Sequence, residues 1–198
     1  MATEVEALFN PDGARLRADA RRNVERLVAA ARTALDENLG VTTRDVARRA
    51  GVGLGTLYRR IPSLDTLLAA ILVDTITEMT EWAARARDAD DPWQGFADFA
   101  EAFVQLRASS CGLHAALSGA GELDLGGHVD LLREEMHRLI QHAQDAGAIR
   151  ADVAWRDVPF VLATAIPADH TIGLAAEPDQ WRRNLAIILS GLRPPQHA

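Results

Sequence analysis

The sequence has no lysine and a single cysteine. All 21 of its basic side chains, in 198 residues, are arginine, and Cys111 stands alone. A lone cysteine excludes an internal disulfide and a cysteine-built metal site, and it points to a reducing, cytoplasmic setting. No stretch approaches the roughly 18 apolar residues that a membrane-spanning helix needs. The first thirteen residues, M-A-T-E-V-E-A-L-F-N-P-D-G, are acidic and lack the basic start and apolar core of a signal peptide. Catalytic signatures are missing as well. There is no G-x-S-x-G, no H-x-x-x-H and no H-E-x-x-H, and His137 and His142 are five apart, off a common helix face. G-V-G-L-G at 51–55 lies between two helical stretches rather than after a strand, so it is no phosphate cradle. Glu134 and Glu135 read as a solvated helix face. No enzyme, cofactor or metal site is expected.

Strand-like alternation is absent too. Every long segment carries apolar residues at helical spacing, which implies an all-α fold of about nine helices. The net charge of −7 speaks against nucleic acid until its distribution is considered. Residues 13–61 hold eleven arginines against five acids, whereas residues 62–198 hold ten against twenty. A basic head on an acidic body suits DNA contact through one face.

The head contains the most informative stretch. Thr42 followed by Asp45 is an N-cap with an acid in the first turn. Val46, Ala47 and Ala50 give a small apolar face, and Gly51 stands where a helix ends with positive φ. Val52 and Leu57 fill the space between two short helices. Leu54, Gly55, Thr56, Tyr58, Arg59 and Arg60 are left facing outward. An ordinary helical hairpin is written in much the same way. A helix-turn-helix differs in leaving its second helix free for the major groove, with groups that suit thymine methyls, base edges and phosphates.

The string T-T-R-D-V-A-R-R-A-G-V-G-L-G-T-L-Y-R-R-I-P-S, residues 42–63, resembles the N-terminal domain of TetR-family transcriptional regulators. The likeness runs from about Asn23 through Leu68 and includes the preceding amphipathic helix. It implies double-stranded operator DNA as a partner, with Thr42 and Tyr58 on phosphates and Arg44, Leu54, Gly55, Thr56 and Arg59 at the groove. It also implies a homodimer built by the last two helices, and central helices surrounding a small-molecule effector. One departure stands out: Leu64 occupies a position where the family usually has a basic residue.

The expected organisation is a mobile arm at 1–15, a three-helix DNA-binding domain at 16–62, a ligand-binding and dimerisation domain at 63–193, and a disordered tail at 194–198. Helix one runs from Leu16 to Asn38, ended by Gly40. Helix four follows Pro62 and Ser63 and ties head to body. Asp90, Asp91 and Pro92 make a break with an N-cap that opens helix five, whose aromatic stripe is Trp93, Phe96, Phe99 and Phe103. That stripe reads either as core or as the wall of a pocket. The candidate effector residues are Met79, Trp82, Trp93, Phe96, Phe99, Phe103, His114, Leu117, Met136, His137, Ile140 and Thr164, with Ser118, Gln141 and His170 as further polar groups. Asp157 is expected to cap helix eight, and Pro167 to kink or break it. Val161, Leu162, Ile166 and Ile172 from helix eight, with Trp181, Leu185, Ile188, Leu189 and Leu192 from helix nine, form the expected dimer interface. Cys111 is expected to be buried and inert. The function these features support is a repressor released from its operator by a small molecule. The competing class is a small-molecule-binding or interaction protein with a weakened DNA-binding head, for which Leu64 argues.

Overall fold

The computed structural model describes residues 3–9, 18–37, 41–59, 61–117 and 123–195. Ten helices occur among them: α1 (Glu4–Phe9), α2 (Ala18–Glu37), α3 (Thr43–Ala50), α4 (Leu54–Tyr58), α5 (Leu64–Arg87), α6 (Pro92–Ser109), α7 (Cys111–Leu117), α8 (His128–Asp145), α9 (Asp157–Ala163) and α10 (Gln180–Leu192). A short antiparallel ladder, β1 (His170–Thr171) with β2 (Leu174–Ala175), lies between α9 and α10. The all-α class is therefore as expected. Leu16, Asn38, Gly40, Arg60, Ser118, residues 10–15 of the arm and residues 196–198 of the tail lie outside the described residues. No described helix is long and apolar enough to cross a membrane.

The chain forms two compact units. One is Met1–Thr77 with Ser109–Val129, and the other is Glu78–Ala108 with Asp130–Ala198. The first is organised on α2. Its stripe of Val24, Leu27, Ala31 and Leu35 is buried, as the 3.6-residue spacing requires. α3 packs on one side of it, and the Arg49 guanidinium of α3 meets the Glu37 carboxylate at the end of α2 at 2.7 Å. α7 packs on α2 as well. A Cβ on Gly112 would lie 2.6 Å from Leu35 Cδ2 and 3.3 Å from Leu35 Cβ, so a side chain there would force Leu35 to shift.

Residues 4–9 are helical rather than part of a mobile arm. Thr3 and Glu6 form a reciprocal capping box: the Glu6 N–H donates to Thr3 Oγ1 at 3.1 Å, and the Thr3 N–H donates to Glu6 Oε2 at 3.3 Å. The Asp74 carboxylate of α5 accepts from the N–H groups of Glu4 and Val5 at 2.6 and 3.3 Å. Phe9 is buried at the far end of α1.

In the second unit, Asp91 caps α6 by accepting from the N–H groups of Trp93 and Gln94 at 2.9 and 3.1 Å, with Pro92 at the first helical position. Phe96, Phe99, Ala100, Phe103 and Val104 of α6 and Leu132, Met136, Leu139, Ile140 and Ala143 of α8 are buried. Glu135 departs from the expected solvated face. It is buried and paired with Arg87 of α5, and Arg138 Nη1 lies 3.2 Å from its other oxygen. Asp157 is the first residue of α9 and makes no side-chain cap.

The largest departure follows α9. Residues 170–175 form a hairpin with His170 opposite Ala175 and Thr171 opposite Leu174, so Ile172 lies in no helix. Both turn residues have positive φ, 42° at Ile172 and 82° at Gly173, the signature of a type I′ turn. Glycine adopts that region freely, whereas for isoleucine it costs on the order of 1–2 kcal/mol.

Candidate nucleic-acid interface and effector unit

The helix-turn-helix is built by three local devices. Thr42 caps α3, its Oγ1 accepting the Asp45 N–H at 3.2 Å. The hydroxyl also donates to the Asp45 carboxylate, which holds that carboxyl below its ordinary range, with Arg48 assisting. Gly51 ends the helix at φ 66°, where its N–H donates to Arg48 O and the Val52 N–H donates to Ala47 O at 3.0 Å. Val46, Ala47, Ala50 and Leu57 are buried between the two short helices and α2.

What the core does not use faces outward. Thr42, Arg44, Leu54, Gly55, Tyr58 and Arg59 are exposed, and Thr56 is half-buried. Tyr58 is 60% exposed, so its ring contributes little to the protomer's own core. The arginines divide into two groups. Arg48 faces Asp45 at 3.2 Å and Arg49 faces Glu37 at 2.7 Å, an arrangement that lowers the Glu37 pKa and raises that of Arg49. Arg59 lies 3.4 Å from Thr56 Oγ1 and, like Arg44, meets no acid among the described residues. A Cβ on Gly55 would meet nothing within 4 Å, so the protomer's packing does not demand glycine there. Ser63 caps α5 by accepting the Thr66 N–H at 3.0 Å, and Leu64 is half-buried in the first turn of that helix.

The candidate effector residues separate. Met79, Phe96, Phe99, Phe103, Met136 and Ile140 lie buried in the second unit, with Phe99 and Phe103 stacked at 6.0 Å. Trp82 is half-buried in that unit. Trp93 sits beneath the Arg193 guanidinium, 4.1 Å from its ring centre, and 6.1 Å from the Phe96 ring. The polar groups do not converge on this stripe. His137 stacks on Trp155 at 4.2 Å, and Gln141 donates to Asp145 at 3.0 Å. Thr164 is exposed and donates to Val161 O, and His170 is exposed on β1. His114 and Leu117 belong to the first unit, on α7. Arg107 is half-buried with its guanidinium 5.6 Å above Phe103, and its loss of hydration lowers its pKa. Among the described residues no three His, Cys, Asp or Glu side chains converge to hold a metal ion. Cys111 is exposed rather than buried, because α7 turns Gly112, Leu113 and Ala115 inward.

The expected interface residues also separate. Leu162, Leu185 and Leu192 are buried within the protomer, whereas Val161, Ile166, Trp181, Ile188 and Leu189 are half-buried. Two apolar residues that spacing alone did not single out, Phe160 and Ile187, are 77% and 73% exposed. They sit beside the inward positions, and a helical stripe does not reveal which edge of it turns outward.

Comparison with known proteins agrees with this architecture. Residues 27–71 match the family described as bacterial regulatory proteins, tetR family, and residues 91–194 match the transcriptional regulator SbtR-like C-terminal domain. A TetR transcription regulatory protein from Mycobacterium vanbaalenii shares 32% identity over 91% of this chain and all of its own, with a TM-score of 0.61. The regulator SCO0520 from Streptomyces coelicolor shares 26% identity over 86% of this chain and 98% of its own, at 0.62. A gamma-butyrolactone receptor described as ArpA-like shares the fold at 18% identity, covering 89% of this chain and 90% of its own, also at 0.62. No curated protein matches the chain.

Proposed function

The chain belongs to the TetR family of transcriptional regulators, and from that premise we propose that it is a repressor whose grip on operator DNA falls when a small molecule binds its C-terminal part. Residues 16–62 form the DNA-binding domain in this proposal, and residues 63–193 bind the effector and dimerise. The observation that carries it is the outward set on the helix-turn-helix: Arg44, Tyr58 and Arg59 are exposed while Arg48 and Arg49 are paired with acids. Thr42 and Tyr58 contact phosphates, which fix register. Arg44, Leu54, Thr56 and Arg59 face the groove, where guanidinium and methyl contacts distinguish bases.

The effector lies in the second unit, among the side chains of α6, α8 and the last turns of α5. A ligand changes DNA affinity only by favouring one conformation over another. The continuous α5 is the connector, since residues 64–77 pack in the unit that holds α3 and α4. Two copies assemble through α9 and α10, with Phe160, Val161, Ile187, Ile188 and Leu189 on the shared face. A twofold dimer of helix-turn-helix heads reads two half-sites about one DNA turn apart, roughly 34–36 Å.

Binding to duplex DNA from the chain's own upstream region, titrated by anisotropy across a salt series, tests the proposal. A linear fall of log affinity with log salt, together with a preference of at least a hundredfold over scrambled DNA, is expected. Equal affinity for both duplexes would instead favour a ligand-binding or interaction protein with a weakened DNA-binding head, as Leu64 suggests.

A further inference from the structure

We propose that the 170–175 hairpin is a dimerisation arm whose tip, Ile172 with Leu174, docks on a second copy of this chain. The proposal rests on the twofold assembly described above and adds a contact that α9 and α10 do not supply.

Two costs meet at one residue. Ile172 holds φ at 42°, a left-handed conformation that a β-branched side chain resists. It also presents that side chain to solvent, 93% exposed, while Leu174 on the same hairpin is 63% exposed. A type I′ turn is made most cheaply by Asn-Gly. Nothing in the protomer recovers the cost of isoleucine, because the side chain buries almost none of its surface there. Strain of this kind persists where an apolar group is needed by something outside the fold.

The second copy fits better than any other occupant for three reasons. The hairpin directly connects α9 to α10, the helices that expose Phe160 and Ile187. A standard interface takes about 800 Å² from each partner, and Ile172 and Leu174 add two exposed apolar side chains to the two, Phe160 and Ile187, that α9 and α10 present. Charge disfavours polyanions as well: the nearby Arg183 and Arg182 are paired with Glu177 at 2.7 Å and Asp179 at 2.9 Å, and these pairs leave no uncompensated cation between them.

The test uses Ile172→Asn, Leu174→Ser and Ile187→Glu in the full chain. Sedimentation of a dilution series should give a dimer dissociation constant at least tenfold weaker for Ile172→Asn and for Leu174→Ser. In an Ile187→Glu background, where the protomer is alone, Ile172→Asn should raise the melting temperature by about 2–6 °C through release of strain, and Leu174→Ser should not. Dissociation constants within twofold of the parent for both hairpin variants, with Ile187→Glu still disruptive, would overturn the arm and leave the dimer standing. A drop in melting temperature on adding Ile172→Asn would also overturn it, since the side chain would then serve the protomer. A parent that sediments as a monomer at micromolar concentration would overturn the twofold assembly itself.

Discussion

Gly112 of α7 lies against Leu35 of α2 so closely that an added Cβ would come 2.6 Å from Leu35 Cδ2. The segment after α6 is thereby seated on the helix that also supports α3. Gly112→Val fits only if Leu35 shifts or α7 moves off α2. The expected cost is about 1–3 kcal/mol of stability, with Gly112→Ala intermediate. Operator affinity without effector should fall less than the response to effector, because α3 and α4 keep their own packing. Urea unfolding and anisotropy on the same preparations check this, and a fully stable Gly112→Val would refute the close approach.

On the outward face, three substitutions separate positioning from readout. Arg59→Ala should lose about 1–3 kcal/mol on the native operator and relax its sequence preference. Tyr58→Phe should weaken specific and scrambled duplexes alike, since phosphate carries no sequence. Gly55→Ala has space in the protomer and should stabilise α4 by up to about 1 kcal/mol, yet bind DNA more weakly through its added methyl. A Gly55→Ala protein that gains both stability and affinity would show that this face is not the one that approaches the groove.

The Arg87–Glu135 pair links α5 to α8 inside the second unit. Removing one partner leaves a poorly solvated charge. Glu135→Ala should therefore cost about 1–3 kcal/mol, the range reduced because Arg87 is partly exposed. Glu134→Ala, on an exposed carboxylate, should cost under about 1 kcal/mol. The double variant Arg87→Met with Glu135→Leu should recover much of the loss. Thermal unfolding of the four proteins decides the matter.

Acid sensitivity has an assigned sign. Asp45 is held below its usual pKa by Thr42 and then Arg48, and Glu37 by Arg49. A lowered folded-state pKa contributes stability that is complete above the unfolded value, near 4 for a carboxylate, and is lost as pH falls through the folded value. The stability gap between parent and Asp45→Asn should thus be constant from pH 7 to about 5 and close below about 4. A gap that stays constant to pH 2.5 would mean that Asp45 acts through something other than its charge.

Much of the first unit could be read from the sequence because its determinants are local. The Thr42 cap, the Gly51 stop and the alternation of Val46, Ala47, Ala50 and Leu57 each act within a few residues, and each has its expected geometry. The α1 helix had a signal as well, the Thr3–Glu6 capping box, but its anchor on Asp74 is nearly seventy residues away in sequence. The second unit was harder to read because a helical stripe gives the inward direction without its edges. Leu162 and Leu185 are buried while Phe160 and Ile187, each two positions away, are exposed. The hairpin was illegible for a chemical reason: its turn is Ile-Gly where Asn-Gly would have announced it. The buried state of Glu135 depends on Arg87 arriving from another helix, which spacing along α8 does not encode.

The one thiol of the chain opens α7, exposed, and its neighbour in sequence is the glycine that rests on Leu35. A maleimide dye attached at Cys111 would need no engineered cysteine. With no lysine in the chain, amine-directed dyes have no side chain to attack, so a second colour can be placed at the amino terminus. The native protein thus offers a single-site label position beside the seam where α7 meets α2, whose emission can be followed in any titration.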